Sequence, residues 1–309
     1  MASLAAVIPA TDGRPSWRRC VASIEAAAQR PEEIIVVDAP RGAGPAEARN
    51  DGARRTTAEI IVFIDSDVEV HDDAFRRIRD AFARDSDLVA IFGSYDDDPD
   101  GGGLVSDFRN LLHHHVHHSS AGPATTFWAG LGAVRRDIFL AGGGFDQLRY
   151  PTPSVEDIEL GMRLAAENHR ILLDPAIQGK HLKRWTLRGM IQTDLVRRGA
   201  PWVRLLLDGA GSSTALNLGW RHRVSAGACI VLVVGLALRS WWLAGASLAI
   251  VLVLNGSFYL LLRRRRGWRL ALAGIPLHLV HHLLSVAAVP AGAALYVHDR
   301  FIRPPSKLT

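Results

Sequence analysis

The chain changes character near residue 183, and that change limits its architecture more than any single motif does. Residues 1–182 carry 19 Lys and Arg against 28 Asp and Glu, whereas residues 183–309 carry 17 against 3. The basic part also contains three apolar runs, at residues 224–238, 241–262 and 270–297. A helix rises about 1.5 Å per residue and the hydrocarbon core of a bilayer is about 30 Å thick, so the first run is short and the second long enough to cross. A net charge of +5 suggests a nucleic-acid partner only until it is located. The positive excess sits with the apolar runs, so the partner it implies is a membrane with anionic lipids, and nucleic acid is not expected.

The acidic part alternates strands and helices. Apolar runs at residues 4–8, 33–37, 60–64 and 88–92 read as strands, and helices are predicted at residues 15–28, 46–50, 71–83 and 104–118. This alternation predicts an α/β fold with a doubly wound, mostly parallel sheet. Three strands end on one rim, at Pro9, Asp38 and Asp65. In such sheets ligands collect beyond the carboxyl ends of the strands, and this rim is nucleotide-sized. Residues 125–134 are β-prone around Gly130 and Gly132, and residues 135–140 read as a short helix. Residues 171–173 and 176–178 read as two strand pieces on either side of Pro175. The 309 residues leave room for one sizeable domain and a smaller one. Cys20 and Cys229 form no disulfide framework or zinc site, and an unpaired Cys20 suits a reducing compartment. Residues 2–10 are too short an apolar run for a signal sequence and read as the first strand. The bias toward Ala, Arg and Gly points to a GC-rich bacterial source.

Several residues carry candidate chemistry. Asp65-Ser66-Asp67 ends the strand at residues 60–64 in two carboxylates. They suit Mg2+ or Mn2+ shared with substrate phosphates, and Asp67 alternatively suits the cap of the helix expected from His71. Ser154 and Asp157 have capping-box spacing, and Glu156 and Asp157 suit the positive end of a helix. Five histidines fall between His113 and His118. Neighbours on a helix diverge, so at most a subset can share an ion; a polar helix beside an acceptor, through His114 and His118, and plain surface are the other readings.

The basic part has its own signals. Leu and Trp alternate with Arg over residues 186–207, which suits helices lying in a membrane interface or packing on the globular domain. Arg239-Ser240 reads as a hairpin turn between the first two apolar runs, with Arg221, Arg223 and Arg263 to Arg266 at its open end. That charge places both ends of the hairpin, and the acidic domain, in the cytoplasm. The third run contains Pro276, Pro290, His278, His281 and His282, and either spans with tilt or re-enters. A single crossing there would carry Arg300, Arg303 and Lys307 to the far side, against the charge rule. Histidines within an apolar run mark either function or a helix contact.

Taken in order, Val7-Ile8-Pro9, Val36-Val37-Asp38, Ala48-Arg49-Asn50-Asp51-Gly52, Asp65-Ser66-Asp67, Gly143-Gly144-Phe145-Asp146, Glu156-Asp157 and His181 resemble family 2 glycosyltransferases of the GT-A fold. The resemblance covers about residues 3–185, and His181-Leu182-Lys183-Arg184-Trp185 with the apolar tail is similar to membrane-attached bacterial members. It implies a GT-A type, Rossmann-like domain over residues 1–182, juxtamembrane amphipathic helices over 183–223, two to three membrane helices over 224–298 and a basic tail over 299–309. It further implies that Asp38 contacts the nucleotide base, with Pro9 and Asp12 in the loop around it. Asp65 and Asp67 become the pair that holds nucleotide and metal, joined at the metal by His181. Asp157 becomes the general base with Glu156 beside it, and Gly130 lies in a glycine loop near the donor. Two positions depart from the family pattern: Ala10-Thr11-Asp12 stands where Tyr-Asn is usual, and Ala39 where a second Asp is usual.

The activity so implied is inverting, metal-dependent transfer from a UDP or GDP sugar to a hydroxyl acceptor, lipid-linked, at the cytoplasmic face of a bacterial inner membrane, for a cell-envelope glycan. A single displacement needs one base and no covalent carboxylate. A bound Mg2+ or Mn2+ would stabilise the leaving diphosphate as a Lewis acid, with Lys183 and Arg184 adding positive charge. Trp185 suits stacking on a sugar or anchoring the domain at the membrane. Two rivals stand beside this reading. An already ionised polyprenyl phosphate acceptor would need no base, and a membrane scaffold with a degenerate nucleotide fold would need no chemistry.

Overall fold

The computed structural model describes residues 2–38, 44–209 and 219–302. Ala39 and Gly42, residues 210–218 of the juxtamembrane stretch, and Arg303 and Lys307 of the basic tail lie outside the described residues. The chain divides into two compact units, residues 1–102 with 113–184, and residues 103–112 with 185–309.

The first unit is built on an eight-stranded sheet. Its strands are Leu4–Pro9 (β1), Glu33–Val37 (β2), Ile60–Ile64 (β3), Val68–Val70 (β4), Leu88–Tyr95 (β5), Gly122–Ala124 (β6), Leu131–Arg135 (β7) and Arg170–His181 (β8). The order is β2-β1-β3-β7-β5-β8-β4, with β6 also on β8. β1, β2, β3, β5 and β8 run one way, while β4, β6 and β7 run the other. The sheet is therefore α/β and mostly parallel. β1 and β3 are buried along their whole length, which is why they read as unbroken apolar runs without alternation.

Helices Ser16–Ala26 (α1), Pro45–Arg55 (α2), Ala74–Arg84 (α3), Leu104–Ser119 (α4), Arg136–Ala141 (α5) and Glu156–Ala166 (α6) follow the strands. α2 lies so close to β1 that a Cβ on Gly52 would stand 2.3 Å from Val7 Cγ1. Phe63, Phe139 and Phe145 meet with ring centroids 5.1 to 5.3 Å apart and tie β3 to α5 and to the glycine turn after it. These tilted and edge-to-face contacts suit the ring quadrupoles.

The structure corrects three local expectations. The Val68 amide donates to the Asp65 carbonyl at 3.0 Å, so the chain reverses at Asp65-Ser66-Asp67 into β4 instead of entering a helix at His71. α3 begins only at Ala74, after Asp73, so Asp67 is not its cap. β8 is one strand, not two pieces. Phe92 pairs with Leu173 and Ser94 with Gln178, so the residues around Pro175 are accommodated as a bulge in β8. At α6 the N-cap position is Val155, and the Ser154 amide donates to Glu156 Oε2 at 2.8 Å.

The histidine run serves the sheet. β7 pairs with β5 at Ala90 to Phe92, and beyond it the carbonyls of Gly93 and Tyr95 accept from His117 Nδ1 and His114 Nδ1, each at 2.9 Å. Histidines three apart on a helix thus satisfy carbonyls two apart on a strand.

The second unit is helical. After Leu187–Gln192 (α7), a π-helical segment Thr193–Gly199 and Ala200–Leu207 (α8) come Trp220–Ala237 (α9), Trp241–Leu254 (α10) and Gly256–Val297 (α11). Trp220–Ala237 and Gly256–Phe301 are long and apolar enough to cross a membrane. The expected second span is interrupted at Asn255, and α11 changes direction at Gly267, whose φ of 76° is unstrained only for glycine. α9 and α10 meet through Ser225, Ala228 and Gly235 against Ala244, Ser247 and Val251, small residues that let two helices approach closely. Asp194 is buried between Arg109 Nη2 at 2.7 Å and His281 Nδ1 at 2.8 Å. Burial opposes its charge, but Arg109 and His281 outweigh that and lower its carboxyl to about 2.

In α6, a Cβ on Gly161 would lie 2.1 Å from the Phe127 amide nitrogen and 2.2 Å from the Thr126 carbonyl carbon, rigid backbone on both counts. Gly161→Ala is expected to cost about 1–3 kcal/mol of stability or more, read as a lowered denaturant midpoint at unchanged slope.

Candidate active site

The carboxyl ends of β1, β2 and β3 carry Pro9, Asp38 and Asp65 on one edge, because the three strands are parallel and in register. Pro9 pairs with Val37, Asp38 stands exposed just beyond, and Asp12 turns back to accept from the Arg14 amide at 3.1 Å. The Asp65 amide donates to the Gly130 carbonyl at 3.0 Å. From the other side, the Ala129 amide donates to Asp157 Oδ2 at 3.2 Å. The two-residue segment Ala129-Gly130, through the Ala129 N–H and the Gly130 carbonyl, therefore joins the acid at the end of β3 to the acid at the start of α6. A Cβ on Gly130 would sit 2.3 Å from the Trp128 indole, so a side chain there would displace the ring or the loop.

Beneath this peptide lies a residue to which sequence reasoning assigned no role. Arg49 donates from Nη2 to Asp65 Oδ1 at 2.6 Å and from Nη1 to Glu156 Oε1 at 3.1 Å, and only 5% of its surface is exposed. Burial works against its charge, but Asp65, Glu156 and Asp157 outweigh burial and raise its pKa above the ordinary value. The signal was in α2: Ala46, Arg49, Asn50 and Ala53 share one face at helical spacing, and all are buried. A cation on the inward face of a helix requires carboxylates opposite it. Asn50 is the second such residue. Its side chain donates to the Phe145 carbonyl at 2.8 Å and accepts from the Phe145 amide at 2.9 Å, holding the turn through Gly143 and Gly144.

Glu156 spends Oε1 on Arg49 and Oε2 on the Ser154 amide, and is 5% exposed. It holds Arg49 and the backbone at the start of α6. Asp157 is half-buried, with Oδ1 accepting from the Ile158 amide at 2.8 Å.

The other half of the site comes from the reversal into β4. Val68 pairs with His181, which brings His181 Nε2 to 3.6 Å from Asp67 Oδ2. His181 is buried and stacked on Tyr95 at 4.1 Å between centroids and 8° between planes, and Trp128 meets Tyr95 edge-on at 4.9 Å. Neither aromatic was anticipated. Burial tends to raise the Asp67 carboxyl, but the hydrogen bond and charge of His181, with Lys183 and Arg14, bring it below its ordinary value. Arg184 is exposed. Trp185 belongs to the second unit, where its amide donates to Ser106 Oγ at 3.2 Å and Arg109 lies 5.5 Å from its ring. His114 is buried against the Tyr95 carbonyl, which corrects its expected place at an acceptor. His118 is exposed beside Gln178.

A mostly parallel sheet with acids beyond its strand ends, a reversal that pairs Asp67 with His181, and a glycine peptide facing a helix-start carboxylate define a glycosyltransferase of the GT-A class. The family model described as glycosyl transferase family 2 matches residues 7–142. The mannosyltransferase of Pyrobaculum calidifontis, solved in complex with GDP-Man and Mn2+, is 15% identical at a TM-score of 0.55, over 97% of this chain and 88% of that one. At that identity the likeness is one of fold. Glucosyl-3-phosphoglycerate synthase from Mycobacterium tuberculosis, solved with phosphoglyceric acid, is 17% identical at a TM-score of 0.46, over 69% of this chain and 81% of that one. A search of curated proteins gives no match.

Among the described residues no three His, Cys, Asp or Glu side chains form a complete ion cage. The Asp67–His181 pair nonetheless fits a divalent ion that takes its remaining ligands from a diphosphate and water. Adjacent ligands of an octahedral ion with bonds of about 2.1 Å stand about 3 Å apart, close to the 3.6 Å seen here.

Removing one partner of a buried pair leaves a charge uncompensated. Arg49→Met is therefore expected to lower stability by about 3–5 kcal/mol in denaturant unfolding, and adding Glu156→Gln should recover part of that loss. Because the folded Asp67 pKa lies below the reference 3.8, its contribution is present above that pH and is lost as pH falls through the folded value. Asp67→Asn should flatten this acid limb in unfolding midpoints measured against pH.

Proposed function

We propose that this glycosyltransferase moves a sugar from a UDP or GDP sugar to a hydroxyl acceptor, lipid-linked, with inversion at the anomeric carbon, at the cytoplasmic face of a bacterial inner membrane in the synthesis of a cell-envelope glycan. The observation that carries the reading is the Ala129-Gly130 segment, whose Ala129 N–H donates to Asp157 and whose Gly130 carbonyl accepts from the Asp65 amide. A donor bound along the strand ends would have its reacting carbon near this peptide, with Asp157 as the carboxylate available to the acceptor.

In this reading Asp38, Pro9 and Asp12 hold the base, and Asp65, kept in place by Arg49, orients the nucleotide. Asp67 and His181 would hold Mn2+ or Mg2+, and the imidazole favours the softer Mn2+. The ion would supply Lewis-acid stabilisation of the leaving diphosphate. Lys183 and Arg184 add positive charge on the same side of the reaction. Asp157 takes the acceptor proton as the hydroxyl attacks. Trp185 follows these residues directly in the chain and is the proposed acceptor-side contact. The membrane reading rests on the apolar helices of the second unit and on the arginines that flank residues 224–262.

Incubating the full chain in native-lipid membranes with a panel of sugar nucleotides, followed by mass spectrometry of the product, identifies donor and acceptor together. Asp157→Asn is expected to lower transfer by about 10²–10⁴-fold while calorimetry with a UDP or GDP sugar and Mn2+ shows unchanged donor binding. Undiminished transfer by the variant would favour an already ionised acceptor such as polyprenyl phosphate. No Mn2+-linked nucleotide binding by the parent chain would favour the scaffold.

A further inference from the structure

We infer that the chain crosses the bilayer as one helical hairpin with its tip at Arg239-Ser240, and that residues 268–297 of α11 do not cross but lie over the base of that hairpin, on the side from which the chain enters it. The inference rests on the membrane reading above and decides how many times the chain crosses.

The hairpin has the surface of a lipid-facing element. α9 and α10 bury small residues against each other and turn Ile230, Val233, Leu236, Ile250 and Val253 outward, each at least 43% exposed. Exposed tryptophans mark both ends: Trp220 and Trp268 at the base, Trp241 and Trp242 at the tip. Such rings gather at the two interfaces of a bilayer. The base also carries Arg221, Arg223 and Arg263 to Arg266, and Arg263 lies 4.4 Å from the Trp268 ring.

Residues 268–297 have a different surroundings. Their buried face contains a polar layer, with His278, His281 and His282 all inside the unit. His281 is bonded to Asp194, which is paired with Arg109, and just past the helix Asp299 pairs with Arg204 at 2.8 Å. The partner helices are not separable from this face. A Cβ on Gly199 would lie 2.7 Å from Ala288 Cβ, and one on Gly292 would lie 2.5 Å from Val203 Cβ. Sending residues 268–297 through the bilayer would carry this packed segment, with Arg197, Arg198 and Arg204, toward hydrocarbon. Ionised groups at that depth are costly unless they line a cavity or one another.

The chain also turns where the inference requires it. Gly267, with φ of 76°, directly follows the four arginines and redirects α11 at the base of the hairpin. Leu279 and Leu283 then pack on Ala228, Cys229 and Val251, near the level where Asn255 donates to Ser225 Oγ at 2.9 Å. Two crossings keep Arg300 on the same side as Arg221, Arg223 and Arg263 to Arg266, in accord with the charge rule that a third crossing would break.

Single-cysteine variants of the full chain, Ser86→Cys, Ser240→Cys and Ser306→Cys, with Cys20 and Cys229 replaced by Ser, test this in sealed vesicles of known orientation with a membrane-impermeant maleimide. The expected result is labelling of Ser86→Cys and Ser306→Cys from one face and of Ser240→Cys from the opposite face. Labelling of Ser306→Cys together with Ser240→Cys would overturn the inference. So would a Ser240→Cys that reacts only after detergent, since the hairpin would then stop inside the bilayer. Carbonate washing of the same vesicles tests the membrane reading separately: release of the protein ends that reading, whereas retention with the wrong labelling ends only the two-crossing topology.

Discussion

The first unit depends on one buried guanidinium. Arg49 is the point at which the acid ending β3 and an acid opening α6 are held together, although these partners are 16 and 107 residues from it in the chain. A buried cation with two carboxylates is compensated, and it fixes the distance between the elements that carry them. The Ala129-Gly130 peptide lies over this pair, and Asn50, the next residue on the same helix face, clamps the turn at Phe145. The geometry of the candidate active site is thus a consequence of how α2 packs on the sheet, and Gly52 allows that packing by omitting a side chain against Val7.

The second unit uses the same device in a different setting. Asp194 is buried between Arg109 and His281, and this pair joins the N-terminal turns of α4 to the π-helical segment and α11 within that unit. The three histidines that sequence alone made suspicious face this buried polar layer, not lipid. On α9 and α10 interior packing is largely through small residues, and larger apolar side chains such as Ile230, Val233, Leu236, Ile250 and Val253 point away.

Much of the sheet was legible because its long strands are continuous apolar runs. β2 and β3 have the expected bounds, and β1 and β5 extend the expected strands at their carboxyl ends. The three-residue strands β4 and β6 were not legible, since a strand that short is defined by its partner and not by its own pattern. Pro175 looked like a break in β8 because proline cannot complete a ladder, but a bulge absorbs it. Of the site, the acids at strand and helix ends were visible as residue types in place. Arg49, Tyr95 and Trp128 were not, because a residue in a buried face reads as packing until its neighbour across the core is known.

By itself the sequence determined which long segments are strands, which acids stand at their ends, and where an apolar hairpin with basic flanks lies. These follow from local periodicity and from the cost of solvating apolar surface. Only the tertiary structure decided that Asp67 faces His181 and does not cap a helix, that Glu156 holds Arg49, and that His281 of α11 meets Asp194. The reason is physical: the state of a buried charge is set by what lies opposite it, and here the opposite residue is supplied by another strand or helix far along the chain.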